Sequence, residues 1–379
     1  MRLVADVAQG SLAKAGEELC GDKVEVIKTA ERTTVVLSDG LGSGVKANIL
    51  ATLTTKIAAG LLERETPLEE VIDTIAHTLP VCRERQIAYS TLATLQIKPS
   101  GLARVVLLDS PPVFLYRGGK VMLFPTEPKV VAGRDIEEGE LELIDGDFLF
   151  MISDGVLHAG IGGILPLGLG QEGVITHLEL LLKEKLDPKQ VVQRFLDLCG
   201  AYYTMSPGDD TTAVAIRTRP PRNMVMFTGP PRTPALDKVA VQKLMDYPGT
   251  KVVCGGTTAK IVARELGQEL RVNLQYDDPE IPPCGSISGI DLVTEGMLTL
   301  NRVLTYLTEN NIPDRNDGAT RVAKFLLEAD EIKIVTGLAI NPAHQNPDLP
   351  SGLNLRASTV RQLANMLTEK GKKVDVEWL

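Results

Sequence analysis

Pro220-Pro221 divides this chain into two segments. The pair follows a β-like run, Thr212-Ala213-Val214-Ala215-Ile216, and a double proline can neither continue a paired strand nor donate to a ladder. The prolines and the flanking arginines read as a short linker. At 379 residues the chain is long for one core and comfortable for two. We therefore read two domains, 1–218 and 223–379.

The two parts are patterned differently. In the first, short β-branched runs alternate with tight turns: Glu25–Ile27, Thr33–Leu37, Thr91–Ile97, Ala103–Leu108, Val113–Tyr116, Lys120–Leu123, Glu140–Leu143 and Phe148–Ser153. Gly118-Gly119 is a hairpin turn. Helices are expected over Lys46–Glu63, with Ile49, Leu50, Leu53, Ile57, Leu61 and Leu62 as the apolar positions, over Pro67–Cys82, and over Pro188–Cys199. This pattern predicts an α+β fold, a two-sheet β-sandwich flanked by helices. The second part alternates strand and helix from Val225 to Trp378, which predicts a layered α/β domain with a largely parallel sheet.

Composition narrows the chemistry. The net charge of −9 and the lack of a basic stripe argue against a nucleic-acid partner. The apolar runs around Val105 and Phe148 are too short to span a bilayer, and the N-terminus carries no export signal, so a cytoplasmic protein without a membrane role is expected. Five widely spaced cysteines without a CxxC read as free thiols, and no two of the four histidines stand at ligand spacing. A metal site in this chain must be built mainly from carboxylates, which suits Mg²⁺ or Mn²⁺.

Four aspartates sit where strands begin or end: Asp22 in Cys20-Gly21-Asp22, Asp39 in Ser38-Asp39-Gly40, Asp154 in Ser153-Asp154-Gly155, and Asp209 in Gly208-Asp209-Asp210-Thr211-Thr212. Asp-Gly is also a common turn dipeptide, so one such element alone is an ordinary turn. Several converging carboxylates, by contrast, repel one another unless cations lie between them.

The order and surroundings of these elements resemble the protein phosphatase 2C superfamily, more closely its SpoIIE-type bacterial branch. The resemblance rests on Asp39-Gly40-Leu41-Gly42-Ser43-Gly44, Cys20-Gly21-Asp22, Tyr89-Ser90-Thr91-Leu92, the run Gly146 to Gly155, and Asp209-Asp210-Thr211-Thr212, and extends from about residue 5 to 217. Two departures stand out. Leu107-Leu108-Asp109-Ser110-Pro111-Pro112 replaces the Asn-Ala-Gly-His-Pro-Pro of many relatives, and Thr211 stands where the branch has Met.

The resemblance implies a phosphoserine/phosphothreonine phosphatase with two Mn²⁺ or Mg²⁺ ions. Asp39 and the Gly40 carbonyl would bridge them, with Asp22 on one side and Asp154 and Asp209 on the other. Asp210 is a further metal candidate beside a plain turn reading. A metal-activated water would attack phosphorus in line, with no Cys or His nucleophile. His158, four residues past Asp154, is a substrate contact or an ordinary surface histidine. The helix pair after Asp39 would gate the site. The implied substrate is a phosphorylated protein, such as an anti-sigma-factor antagonist, and a homodimer is compatible with this reading. The rivals are a non-catalytic regulatory protein on the same fold and an enzyme whose activity lies in 223–379.

In the second domain, Gly255, Gly256, Thr257 and Thr258 follow a strand and open a helix, an arrangement that suits a small anionic ligand or a plain capped turn. The loop after Ile290–Val293 would line the same crevice. Redox sensing by Cys254 and Cys284 is a further, weaker reading.

Overall fold

The computed structural model describes residues 2–78, 90–272, 284–339 and 355–379. The ends of the expected Pro67–Cys82 helix and of the Tyr89 motif lie outside them. The chain forms two compact units, Met1–Pro220 and Pro221–Leu379.

Among the described residues, the first unit holds two antiparallel sheets. One is five-stranded, ordered β1 (Val4–Leu12), β11 (Thr211–Arg219), β10 (Phe148–Ile152), β6 (Phe114–Arg117) and β7 (Lys120–Leu123). The other is six-stranded, ordered β2 (Asp22–Lys28), β3 (Thr33–Asp39), β4 (Leu92–Ile97), β5 (Leu102–Leu108), β9 (Arg134–Glu142) and β8 (Glu127–Val131). Val35, Leu37, Leu95, Val105, Leu115, Leu149, Met151 and Val214 pack between them as the sandwich core. On the outside of the six-stranded sheet lie α1 (Gly44–Glu63) and α2 (Leu68–Thr78). On the outside of the other lie α4 (Gly170–Lys183) and α5 (Pro188–Tyr202), and the short α3 (Asp154–Leu157) follows β10. The α+β sandwich is thus four layers deep. Its central strands read as continuous apolar runs because both faces are buried: Val36 packs under the helices and its neighbours Val35 and Leu37 between the sheets.

The expected face of α1 is corrected. Ile49 and Leu53 are exposed, and the buried positions are Gly44, Ala47, Ala51, Thr54, Thr55, Ala58, Ala59 and Leu62. Small side chains let the helix lie close on β2 and β3, and a hydropathy reading undervalues them. By length and composition α1 could also cross a membrane, which the run-length reading passed over. Here its small-residue face packs on the sheet, as in a core helix that passes the same test.

Three further features go beyond the sequence expectation: β1, paired with β11 along its whole length; β8 and the start of β9, since only the end of β9 falls in the expected Glu140–Leu143 strand; and α4, behind a glycine-rich lead.

The second unit is a seven-stranded sheet ordered β14 (Arg271–Val272), β15 (Gly285–Ser286), β16 (Leu292–Thr294), β13 (Thr250–Cys254), β12 (Asn223–Thr228), β17 (Glu331–Thr336) and β18 (Lys373–Trp378). The last five are parallel. Helices α6 (Asp237–Asp246) and α7 (Gly256–Leu266) cover one face, and α8 (Met297–Thr308), α9 (Gly318–Glu328) and α10 (Leu355–Glu369) the other. The strand and helix alternation of 223–379 is that of a doubly wound α/β sheet; α9 was not expected.

Candidate metal centre

Antiparallel pairing explains how two aspartates at strand starts and two at strand ends reach one edge. Asp22 opens β2 and Asp39 closes β3, and the two are direct register partners. Asp154 follows β10 and Asp209 precedes β11, and these strands are also paired antiparallel. The first pair belongs to the six-stranded sheet and the second to the five-stranded one. Ser153 joins the sheets: its hydroxyl donates to Asp22 Oδ2 at 2.7 Å and accepts from the Thr212 N–H at 2.8 Å.

Each loop is held by backbone contacts. The Asp39 N–H donates to Thr91 Oγ1 at 3.0 Å, and the Asp39 carbonyl accepts from the Thr91 N–H and the Ser90 hydroxyl. The Ser90-Thr91 strand entry is therefore a clamp on Asp39. Gly40 is obligatory, since a Cβ there would lie 2.0 Å from the Ala47 carbonyl oxygen. A Cβ on Gly155 would lie 2.0 Å from the Asp210 carbonyl oxygen, and Tyr203 donates its hydroxyl to the Gly155 carbonyl at 2.7 Å.

The electrostatics are those of a cluster short of positive charge. Burial pushes the Asp39 carboxyl up to about 9, and the charges of Asp22 and Asp154 push in the same direction. Burial raises Asp22 to about 6 against the opposing Ser153 hydrogen bond. Asp209 is also raised, first by burial and then by Asp154. Among the described residues, the buried oxygens Asp22 Oδ1 and Asp154 Oδ1 have no hydrogen-bond partner. Unpartnered buried carboxylate oxygens beside mutually repelling carboxyls fit hard divalent cations.

One ligand atom each from Asp154, His158 and Asp209 lies within 4.8 Å of the others. His158 Nδ1 is 3.9 Å from Asp154 Oδ2, so the histidine stands at the rim of the cluster. Asp210 is placed differently. It is 3% exposed, and its Oδ1 accepts the Lys14 N–H at 3.0 Å. This is a buried clamp on the loop before Asp22, which corrects the plain turn reading.

The family model for Stage II sporulation protein E (SpoIIE) matches residues 29–219, half of the chain. The chain belongs to the SpoIIE family. It is 25% identical over 217 residues to Stage II sporulation protein E of Bacillus subtilis (strain 168), an alignment covering 54% of this chain and 24% of that protein. The chain thus spans about a quarter of the curated relative it matches. Two solved Bacillus subtilis structures are similar. One is the SpoIIE phosphatase domain in a form without domain swapping, with 21% identity, a TM-score of 0.44, and coverage of 57% of this chain and 93% of that one. The other is the SpoIIE PP2C phosphatase domain with a fragment of its regulatory domain, with 24% identity, a TM-score of 0.48, and coverage of 57% and 64%.

Several residues of this SpoIIE-type centre carried no signal in the sequence reading. Ser153 stands in the sequence only as part of a Ser-Asp-Gly tripeptide, and Tyr203 and Ala47 are not singled out there. Each acts through a contact far away in the chain. Ser153→Ala is expected to lower stability by about 1–3 kcal/mol, because it leaves the Thr212 N–H unpaired and removes a donor from buried Asp22. Urea unfolding followed by a signal from the first unit checks this.

In the second unit, the Gly255 N–H donates to the Thr294 carbonyl, Thr258 is buried, and Gly256 and Thr257 are exposed at the start of α7. Gly296 packs against Gly255, so the loop after β16 does lie beside it. Cys254 is fully buried and its thiol is pushed up to about 12 by burial, which disfavours a reactive thiolate. Cys82 lies outside the described residues.

Proposed function

We propose that this chain is a metal-dependent phosphoserine/phosphothreonine protein phosphatase of bacterial signalling, acting in the cytoplasm on a phosphorylated regulator such as an anti-sigma-factor antagonist. The observation that carries the reading is the convergence of Asp22, Asp39, Asp154 and Asp209 from two sheets onto one edge, with Asp39 raised by burial and by its acidic neighbours. Two Mn²⁺ or Mg²⁺ ions, when bound, would supply a water activated for attack and neutralise the phosphoryl oxygens.

The chain's own residues do the rest. Asp22, Asp39, Asp154, Asp209 and the Gly40 carbonyl would hold the ions. Ser153 holds the Asp22 carboxylate in its rotamer. His158, beside Asp154 and Asp209, would add a nitrogen donor to this oxygen set, and such a mixed set would favour manganese over magnesium. The reading is tested by phosphate release from a phosphoserine peptide and from p-nitrophenyl phosphate, with Mn²⁺ and after chelation. Metal-dependent release supports it. No release from manganese-loaded protein on any phosphorylated peptide favours the non-catalytic rival.

We also propose that α1 gates the site. Ala47 is fully buried and packs on both aspartate loops: a Cβ on Gly21 would lie 2.8 Å from the Ala47 Cβ, and one on Gly40 would meet the Ala47 carbonyl. Asn48 ties the same turn to the Cys20 carbonyl at 2.7 Å. Displacement of this turn would move Asp22 and Asp39 together. Ala47→Val, an overpacking change, is expected to weaken Mn²⁺ binding by roughly tenfold with the fold kept. Calorimetric titration checks this, and unchanged affinity would count against the gate.

A further inference from the structure

In the second unit the parallel strands run β16-β13-β12-β17-β18, so chain order reverses between β12 and β17. Helices leave these two strands toward opposite faces of the sheet, and open α/β sheets take ligands in the crevice outside the carboxyl ends at such a reversal. The Gly255 loop lies one strand away, at the end of β13.

The register puts Thr294, Cys254, Thr228 and Thr336 side by side as the last residues of four neighbouring strands. In-register parallel neighbours point to one face, and Cys254 places this row on the α8–α10 side. Thr228 and Thr336, the pair at the reversal, are 1% and 0% exposed. Among the described residues neither hydroxyl has a hydrogen-bond partner.

The next residues in the chain are Gly229 and Gly337. Arg356, in the first turn of α10, spans both. Its Nη1 lies 2.4 Å from where a Cβ on Gly229 would stand and donates to the Gly337 carbonyl at 3.2 Å. Its other partner among the described residues is the Ala339 carbonyl, at 3.5 Å. Among the described residues no carboxylate pairs with it, and burial lowers its pKa. Resting on carbonyl oxygens among the described residues, this half-buried guanidinium suits an anionic partner.

We propose that this switch-point crevice binds a small molecule through a single oxyanion, a phosphate or a carboxylate, with Arg356 as the clamp and the Thr228 and Thr336 hydroxyls as donors. Pro230 and Pro231 lack N–H groups, so the first loop cannot cradle a pyrophosphate as dinucleotide-binding loops do. The positive charge must come from a side chain, and Arg356 supplies it.

The test uses the full chain stripped of metal, so that the acidic cluster of the first unit repels anions. Thermal shift and calorimetry are run with inorganic phosphate and with malonate, at ionic strength held constant with chloride. Saturable stabilisation by one of the two is expected, and which one acts separates a phosphate from a carboxylate ligand. Arg356→Gln should weaken binding at least tenfold, and Arg356→Lys should retain part of it. Thr336→Val should weaken binding several-fold while keeping or raising the melting temperature of the free protein, since it removes an unsatisfied hydroxyl. Binding unchanged in both Arg356→Gln and Thr336→Val, or no saturable effect of either anion beyond chloride, would overturn the proposal. The phosphatase reading is untouched by either result, because its assay needs metal and this one excludes it.

Discussion

Asp39→Asn is expected to abolish metal-dependent phosphate release, by about 10³-fold or more, while the metal-free protein becomes no less stable. A loss of that size corresponds to roughly 4 kcal/mol of transition-state stabilisation, the order supplied by ions that activate water and neutralise phosphoryl charge. The carboxylate replaced is the one most strongly raised by burial and by the charges of Asp22 and Asp154. An amide keeps its shape and its hydrogen-bonding backbone, which rests on Ser90 and Thr91 and not on the side chain. It removes the negative charge that both holds a cation and repels its neighbours. Activity should therefore fall while the melting temperature in chelator holds or rises. Asp154→Asn should behave alike, since Asp154 is an acidic neighbour that raises Asp39. Phosphate-release kinetics with paired melting curves check both. An Asp39→Asn protein that turns over substrate at the wild-type rate would remove the two-metal reading.

Metal-free stability is expected to fall as pH rises from about 4 to 9, and bound Mn²⁺ to reverse the trend. The carboxyls of Asp22 and Asp39 hold their protons to about 6 and about 9 in the folded chain, against 3.8 as the ordinary value. Between those limits the native state binds more protons than the unfolded one. The stability they contribute is complete below the unfolded value and is lost as pH climbs through the folded values. The slope for one proton is roughly 1.4 kcal/mol per pH unit. Manganese binds the deprotonated carboxylates, so its affinity should rise over the same range and protons should be released on binding. Urea unfolding at pH 5, 7 and 9, with chelator and with Mn²⁺, measures both arms. In Asp39→Asn the metal-free slope between about 6 and 9 should fall sharply, because Asp39 carries most of it. A slope that survives this change would place the coupled protons elsewhere.

Much of the centre was legible in residue order because its chemistry sits in short stretches. Ser38-Asp39-Gly40 and Ser153-Asp154-Gly155 carry the acid, the turn and the close approach within three residues each. The glycines report backbone crowding that any larger residue would violate. Strand and helix alternation in 223–379 was likewise local, and it announced a parallel sheet before any contact was known. The double proline marked where the pattern changes.

Long-range contacts decided the rest. Pairing brought Asp22 opposite Asp39, and the packing of two sheets brought Ser153 to Asp22. The close approach of α1 chose a face of alanines and threonines over its larger apolar residues, because close packing rewards fit to the sheet more than hydropathy. Strand order in the second unit set the reversal between β12 and β17 and carried Arg356 to it, although Gly229, which it packs against, is far away along the chain. Neighbours along the chain specify which residues can do chemistry and which local shapes they adopt. Which of them meet depends on register, sheet order and packing distance, and these arise from long-range contacts that no local pattern encodes.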